Sequence, residues 1–229
     1  KSFIPRRLPL DQSMRVPATM LLASAAAAIL AGWEAVTVMA SLLFLVMVFL
    51  FRDPERSTNA SSSAILSPAD GRVIGTRETG VSELSPASGD CISIFLSILD
   101  VHVNRAPCDG IVDTLLYRPG GHRDARCDES VGNESNSILF HCGQHCVGVR
   151  QIAGRLARRV VCRLGTGDTV RRGDRIGLIR FGSRVEVYLP SGSAVIVRPG
   201  QKVRAGITIL GFLPGDSDTG VQSSAVSSR

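Results

Sequence analysis

Between Val16 and Phe51 the chain carries one charged side chain, Glu34, in an otherwise almost unbroken apolar stretch. Apolar surface on that scale has to leave water, so it decides where the rest of the chain must live. Glu34 divides it into Val16–Trp33 and Ala35–Phe51, each close to the ~20 residues that cross a bilayer as a helix. Arg6, Arg7 and Arg15 precede the first run, and Arg52 and Arg56 follow the second, which puts both flanks on the cytoplasmic side. The expectation is a membrane anchor over residues 1–56, a tight hairpin of two apolar helices, 16–33 and 35–51, on the cytoplasmic side of the cell membrane. A cleaved signal peptide fits less well, because a second apolar run follows the first at once. Both runs are slightly short, so a hairpin that dips into one leaflet fits the same pattern.

After residue 56 the pattern changes. Residues 57–63 are small and polar, too poor in apolar groups to pack, and read as a linker. From Ala64 onward no segment keeps a 3.6-residue period. Short β-branched stretches alternate with glycine instead, over 72–76, 91–99, 110–117, 137–140, 146–152, 159–164, 176–179, 185–189 and 194–197. A mainly β catalytic domain (α+β at most) over residues 64–213 follows, and residues 214–229, rich in Ser, Gly and Asp, read as a disordered tail. Two internal similarities narrow the fold. Gly167–Gly173 and Gly200–Gly206 share the frame G-x-x-V-R-x-G, and Pro68–Val73 shares P-x-D-G-x-V with Pro107–Val112. Each unit joins a turn whose glycine permits positive φ to a β-branched strand. Paired units of this kind build the barrel-sandwich domains of lipoyl and biotinyl carriers, so the expected fold is a barrel-sandwich-like β domain behind a helical membrane hairpin. Carrier chemistry is another matter: Lys1 and Lys202 are the only lysines, and neither has a carrier's Met-Lys-Met or Asp-Lys-Ala setting.

The formal charge of +6 is therefore carried almost wholly by arginine. A basic surface suits an anionic partner. With 5% aromatic residues and no basic run interleaved with Phe or Tyr, there is little for bases to stack on, which favours an anionic membrane and disfavours nucleic acid. Cys91, Cys108, Cys127, Cys142, Cys146 and Cys162 lack the dense framework of a small secreted domain and fit reduced thiols in a cytosolic compartment. His141–Cys146 holds two His and two Cys. It lacks CxxC spacing and a second ligand pair, and a strand would point its neighbours to opposite faces, so no metal site is expected.

The segment with most chemical content is Arg180–Pro190, which contains Gly182-Ser183. Glycine lets the backbone take a strained turn that opens the Gly182 carbonyl to the Ser183 hydroxyl, although a lone Gly-Ser pair is more often an ordinary turn. Its company decides otherwise. The segment resembles the cleavage site of the short-form, bacterial-type phosphatidylserine decarboxylases. Phe51–Arg56, Ser67–Gly71, Leu99–Pro107 and Arg158–Cys162 match the same family in its order, so the resemblance covers most of residues 51–190.

The resemblance implies a pyruvoyl enzyme that converts phosphatidylserine to phosphatidylethanolamine and carbon dioxide at a membrane. It implies a cut between Gly182 and Ser183, giving a large chain 1–182 and a small chain 183–229. An N-to-O acyl shift gives an ester, elimination leaves dehydroalanine at position 183, and hydrolysis leaves a pyruvoyl group that can engage the substrate amine and act as an electron sink. A serine nucleophile needs a base, and a histidine held by a carboxylate is the usual solution. The resemblance puts His102 and Asp70 in those places, with Ser183 as nucleophile and cofactor precursor. Longer members carry a second histidine where this chain has Arg105. Either His102 then serves both self-cleavage and decarboxylation, or Arg105 binds the substrate carboxylate or phosphate. Asn133-Glu134-Ser135 departs from the Asn-Glu-Arg of many relatives and receives no role. Two alternatives stay open: a decarboxylase of another serine-headed lipid, archaetidylserine-like, and a non-catalytic membrane-tethered adaptor whose Gly182–Ser183 bond stays intact. Assembly into a homo-oligomer is neither required nor excluded.

Overall fold

A computed structural model describes residues 15–86, 88–121, 123–126, 132–155, 160–179 and 183–215. Most of the expected tail, and Arg180, Phe181 and Gly182 of the cleavage segment, lie outside the described residues. The apolar runs form helices α1 (Arg15–Leu30) and α2 (Glu34–Leu50), packed against each other across a short turn. Gly32 makes that turn at φ 69°. The two helices are therefore present, α1 two residues shorter than its expected run and α2 of the expected 17 residues, shifted by one. At 16 and 17 residues and ~1.5 Å per residue, the helices measure about 24–26 Å against a hydrocarbon core ~30 Å thick. Among the described residues no helix is long and apolar enough to cross a membrane, so bilayer-spanning helices are not borne out. Helix α1 stops three residues before Trp33, the expected end of its run, because the turn takes up Ala31–Trp33.

From Ala64 the chain is built of strands: β1 (Ala64–Leu66), β2 (Gly71–Thr79), β3 (Gly89–Leu96), β4 (Val103–Arg105), β5 (Gly110–Arg118), β6 (Ser135–Cys142) and β7 (His145–Ile152). There follow β8 (Val160–Cys162), β9 (Thr169–Val170), β10 (Arg175–Ile179), β11 (Ser183–Pro190), β12 (Ala194–Val195), β13 (Lys202–Val203) and β14 (Ile209–Phe212). A curled eight-stranded sheet runs β13-β2-β3-β11-β7-β6-β5-β9, with three-stranded sheets β1-β14-β12 and β4-β10-β8 beside it. Ile92, Ile94, Leu96, Ile138, Phe140, Ile176 and Ile179 are among the fully buried side chains of the core.

The two internal similarities prove to be two halves of one device. Gly71 pairs with Val203, and Gly110 pairs with Val170, so each Asp-Gly unit is docked on one G-x-x-V-R-x-G unit. The four frame glycines, Gly167, Gly173, Gly200 and Gly206, all have positive φ, between 67° and 87°. The halves then exchange backbone bonds symmetrically: Leu66 N–H donates to Pro107 O and Arg105 N–H donates to Pro68 O, both at 2.9 Å. These docked pairs form the two ends of the large sheet, leaving β11 near its middle between β3 and β7. The barrel-sandwich expectation thus holds at the level of a mainly β, internally repeated, curled sheet.

Two expectations are corrected here. The strand expected over 91–99 ends at Leu96, because Ser97 N–H and Oγ both donate to Asp100 Oδ2 at 2.8 Å and close a turn. And the expected reduced thiols include a bonded pair: Cys108 and Cys142 form a disulfide with Cα atoms 6.6 Å apart. The β5–β6 register, Ile111 opposite His141, brings the start of one strand to the end of the other. Separated by 34 positions, the two cysteines give no local sign of this. His141–Cys146 is the tip of the β6–β7 hairpin, turned by Gly143 at φ 63°.

Candidate active site

Ser183 opens β11, a strand buried along its length up to Pro190 because it has a neighbour on each edge. Side chains alternate along a strand, so Ser183 shares the core-side face with Val185 and Val187, while Arg184, Glu186 and Tyr188 occupy the other. Its Oγ is fully buried and has no hydrogen-bond partner among the described residues. Such a group is expensive to keep, at about 1–3 kcal/mol, and marks a position of chemical interest.

His102 reaches the same neighbourhood through the backbone. Ser183 pairs with Leu96, and the Ile179 N–H donates to the His102 carbonyl at 3.2 Å. The two ends of the loop 97–101 are therefore held beside Ser183 and Ile179. Ile179 and Ser183 are four positions apart in the sequence, at most ~14 Å of extended chain. The imidazole is buried, its Nδ1 lies 3.3 Å from Leu50 O, and the Phe51 ring lies beside it at 6.5 Å between centroids. Nδ1–H donates to that carbonyl, so the neutral ring carries its lone pair on Nε2. Burial pushes the His102 pKa below its ordinary 6.5, opposed by the Leu50 hydrogen bond and the charges of Asp100 and Asp70, and assisted by Arg52. A base kept neutral in this way is ready to accept a proton near neutral pH.

Asp70 acts on His102 through its charge, and the bond that fixes the ring comes from Leu50. Both carboxylate oxygens of Asp70 face Arg56, at 2.5 and 2.8 Å, and Oδ1 also accepts the Ala205 N–H at 2.8 Å. Arg105 is turned inward as well. It donates to Asp53 Oδ1 at 3.0 Å, Pro54 O at 2.8 Å and Gly173 O at 2.8 Å, and is 2% exposed. Those bonds hold residues 53–54 against the β domain. Asp53 is shared with Arg175 Nε at 2.5 Å. The segment assigned to the end of the anchor is thereby riveted to the catalytic domain, and the linker follows suit: Ser61 O and Ser62 O both accept from Arg172.

One group escaped the sequence reading. Asn104, two residues after His102, is fully buried and accepts from Gln151 Nε2 at 2.7 Å, while Gln151 Oε1 accepts from Asn136 Nδ2 at 3.1 Å. Gln151 lies opposite Val185, which puts this amide chain on the face that Ser183 shares. The Asn104 Nδ2 is a buried donor with no partner among the described residues. The signal available in the sequence was a polar residue, Gln151, inside the β-branched run 146–152. Asn133 and Glu134, left without a role, are braces: Asn133 Nδ2 donates to Arg123 O and Ala153 O, and Glu134 Oε1 accepts the Val160 N–H.

Comparison with known proteins bears on this arrangement. Residues 43–211 match the model of the phosphatidylserine decarboxylase family. A Methanosarcina mazei protein named "Putative archaetidylserine decarboxylase proenzyme" is 43% identical over 176 residues, 77% of this chain and 79% of that one. The phosphatidylserine decarboxylase proenzyme of Symbiobacterium thermophilum is 45% identical over 197 residues, 85% of this chain and 91% of the relative. That of Magnetococcus marinus is 39% identical over 189 residues, 82% and 81% of the two chains. With a buried serine that has no hydrogen-bond partner among the described residues at the head of its central strand, and a neutral histidine one loop away, the chain belongs to the phosphatidylserine decarboxylase family.

Proposed function

We propose that this chain breaks its own Gly182–Ser183 bond, converts Ser183 to a pyruvoyl group, and decarboxylates phosphatidylserine to phosphatidylethanolamine. The observation that carries the reading is the Ser183 hydroxyl, fully buried and without a hydrogen-bond partner among the described residues, in a chain of this family. The pyruvoyl group supplies an electrophilic carbonyl able to take up the electrons released as carbon dioxide departs.

In self-cleavage, His102 Nε2 takes the Ser183 Oγ proton as Oγ bonds to the Gly182 carbonyl carbon. The C–N bond breaks and the proton passes to the nitrogen. Loss of the Ser183 α-proton then expels the Gly182 carboxylate and leaves dehydroalanine, which water hydrolyses with release of ammonia. In turnover, the same Nε2 returns a proton to the substrate carbon that has lost its carboxylate. Asp70 and Asp100 favour the protonated state of the ring through which each step passes. Arg56 and Ala205 N–H hold Asp70 in position for this.

The hairpin is the element that meets lipid. Leu30, Met20, Val38 and Trp33 are 63–89% exposed, an apolar surface suited to a bilayer leaflet, and the basic chain favours an anionic one. The Methanosarcina mazei relative gives a second reading some weight: a serine head group on an archaeal-type lipid presents the same amine and carboxylate. Defined lipids of both kinds, supplied at equal surface density, separate the two. Borohydride added with phosphatidylserine should fix lipid to the 183–229 chain alone, and Ser183→Ala should stay one chain and trap nothing. Lipid fixed to another segment, or trapping that survives Ser183→Ala, would refute the pyruvoyl reading.

A further inference from the structure

A helix of 17 residues ends with carbonyls that its own backbone does not satisfy, and α2 ends against the histidine. The carbonyl of Leu50, its last residue, is the one that meets His102 Nδ1. What keeps that turn in place is Arg52. Its Nη1 donates to Phe49 O at 2.6 Å and its Nη2 to Leu99 O at 3.0 Å, while the guanidinium lies 4.2 Å from the Phe49 ring centroid. One planar fork thus bridges the end of the helical hairpin and the 97–100 turn that leads into His102. Only a side chain with divergent, coplanar donors can hold both carbonyls at once.

We infer that Arg52 is a positioning residue for the base: by pinning the last turn of α2 to Leu99, it holds the Leu50 carbonyl on Nδ1 and so keeps the His102 lone pair on Nε2. The seating of the hairpin is thereby coupled to the proton chemistry. A hairpin displaced from its lipid surface would shift the carbonyl that fixes the tautomer. The inference rests on the reading of His102 as the base. Charged groups acting on the ring are Asp100 and Asp70, which favour its protonation, and Arg52, which opposes it. Arg52 therefore has a second, purely Coulombic influence that the test must separate.

The test uses the full chain in vesicles of phosphatidylglycerol and phosphatidylcholine, with 15N-histidine and Ser183→Ala to prevent processing. Only four histidines contribute, and His102→Gln identifies the relevant signal. In the Arg52-bearing chain His102 should be the Nδ1–H tautomer at neutral pH. Arg52→Gln and Arg52→Lys should both convert it to a mixture, and in Ser183-bearing chains both should slow self-cleavage and lower kcat by ~10-fold with KM unchanged. Lysine keeps the charge but offers one nitrogen where the guanidinium uses two, so wild-type tautomer and rates in Arg52→Lys would overturn the inference in favour of charge alone. Should Arg52→Gln not fold, Arg52→Lys decides. Normal processing and turnover in His102→Gln would instead refute the base itself, whatever the Arg52 variants do.

Discussion

Asp70 and Asp109 hold the same place in the two halves of the domain, which separates the structural work of the carboxylate from its chemistry. Each accepts a backbone N–H from the opposing glycine frame, Ala205 N–H at 2.8 Å and Arg172 N–H at 2.9 Å. Asp70 alone is buried and faces Arg56, whose side chain is 7% exposed. Asp109→Asn should therefore mature normally and cost less than about 1 kcal/mol, since its ion pair with Arg172 is half open to water. Asp70→Asn strips a buried guanidinium of its counter-charge, which costs about 3 kcal/mol, and should slow cleavage as well. Urea unfolding in the Ser183→Ala background and gel analysis of processing measure the two effects; equal behaviour of the two variants would remove Asp70 from the site. His102 yields a pH prediction. Its folded pKa lies below 6.5, so between that value and 6.5 the unfolded chain binds more protons, and stability falls as the solution is acidified through this window. The self-cleavage rate should follow the neutral ring, with an acid limb centred below 6.5 and a plateau through neutrality. A limb centred well above 6.5 would show that another group is titrating.

At the scale of elements, β8, β10 and β4 matter because they deliver Ile179 to the His102 carbonyl. Gly177 makes their packing possible: a Cβ there would sit 2.1 Å from Val161 O on the neighbouring strand. Gly177→Ala should push β8 and β10 apart and leave much of the protein uncleaved, a result visible as a single band on a gel; normal processing would mean that the Ile179–His102 bond is dispensable. Much of this architecture was legible. The β-branched runs announced the longer strands to within a few residues, and the two glycine frames announced the internal repeat. The short strands β1, β4, β9, β13 and β14 were not announced, because pieces that short carry no clear period and owe their pairing to distant segments. The site divided along the same line. Ser183, His102 and Asp70 stood in recognisable motifs, whereas the Leu50 carbonyl, a main-chain group 52 positions from His102, has no sequence signature. Asn104–Gln151–Asn136 was hidden too, because amides in strands look like surface residues until the sheet closes over them. The disulfide was missed for want of the β5–β6 register.

For the molecule as a whole, the position of the cut matters more than its chemistry. The proposed small chain is woven through the fold: β11 pairs with β3 from Ser183 to Pro190 and with β7 on its other edge, β13 pairs with β2, and β14 pairs with β1. Breaking one peptide bond at the head of β11 leaves these ladders intact, so the two chains should elute together under native conditions and part only in denaturant. A proenzyme built in this way can fold first and cut afterwards, with the cut at the head of a central strand of an already complete sheet. The internal repeat supports this order, since neither half can close until the frames at 167–173 and 200–206 have both docked. The hairpin is joined to the β domain through Arg52, Asp53 and Arg56, and in the proposed function this joined body is what meets lipid. All of this depends on Gly182–Ser183 being broken by the protein itself. Intact-mass measurement of the purified, folded full chain tests that directly. The account predicts two species, 1–182 and 183–229, the smaller lacking an N-terminal amine and reacting with carbonyl reagents. A single species of full length, or a small chain that begins with a free serine amine, would contradict it.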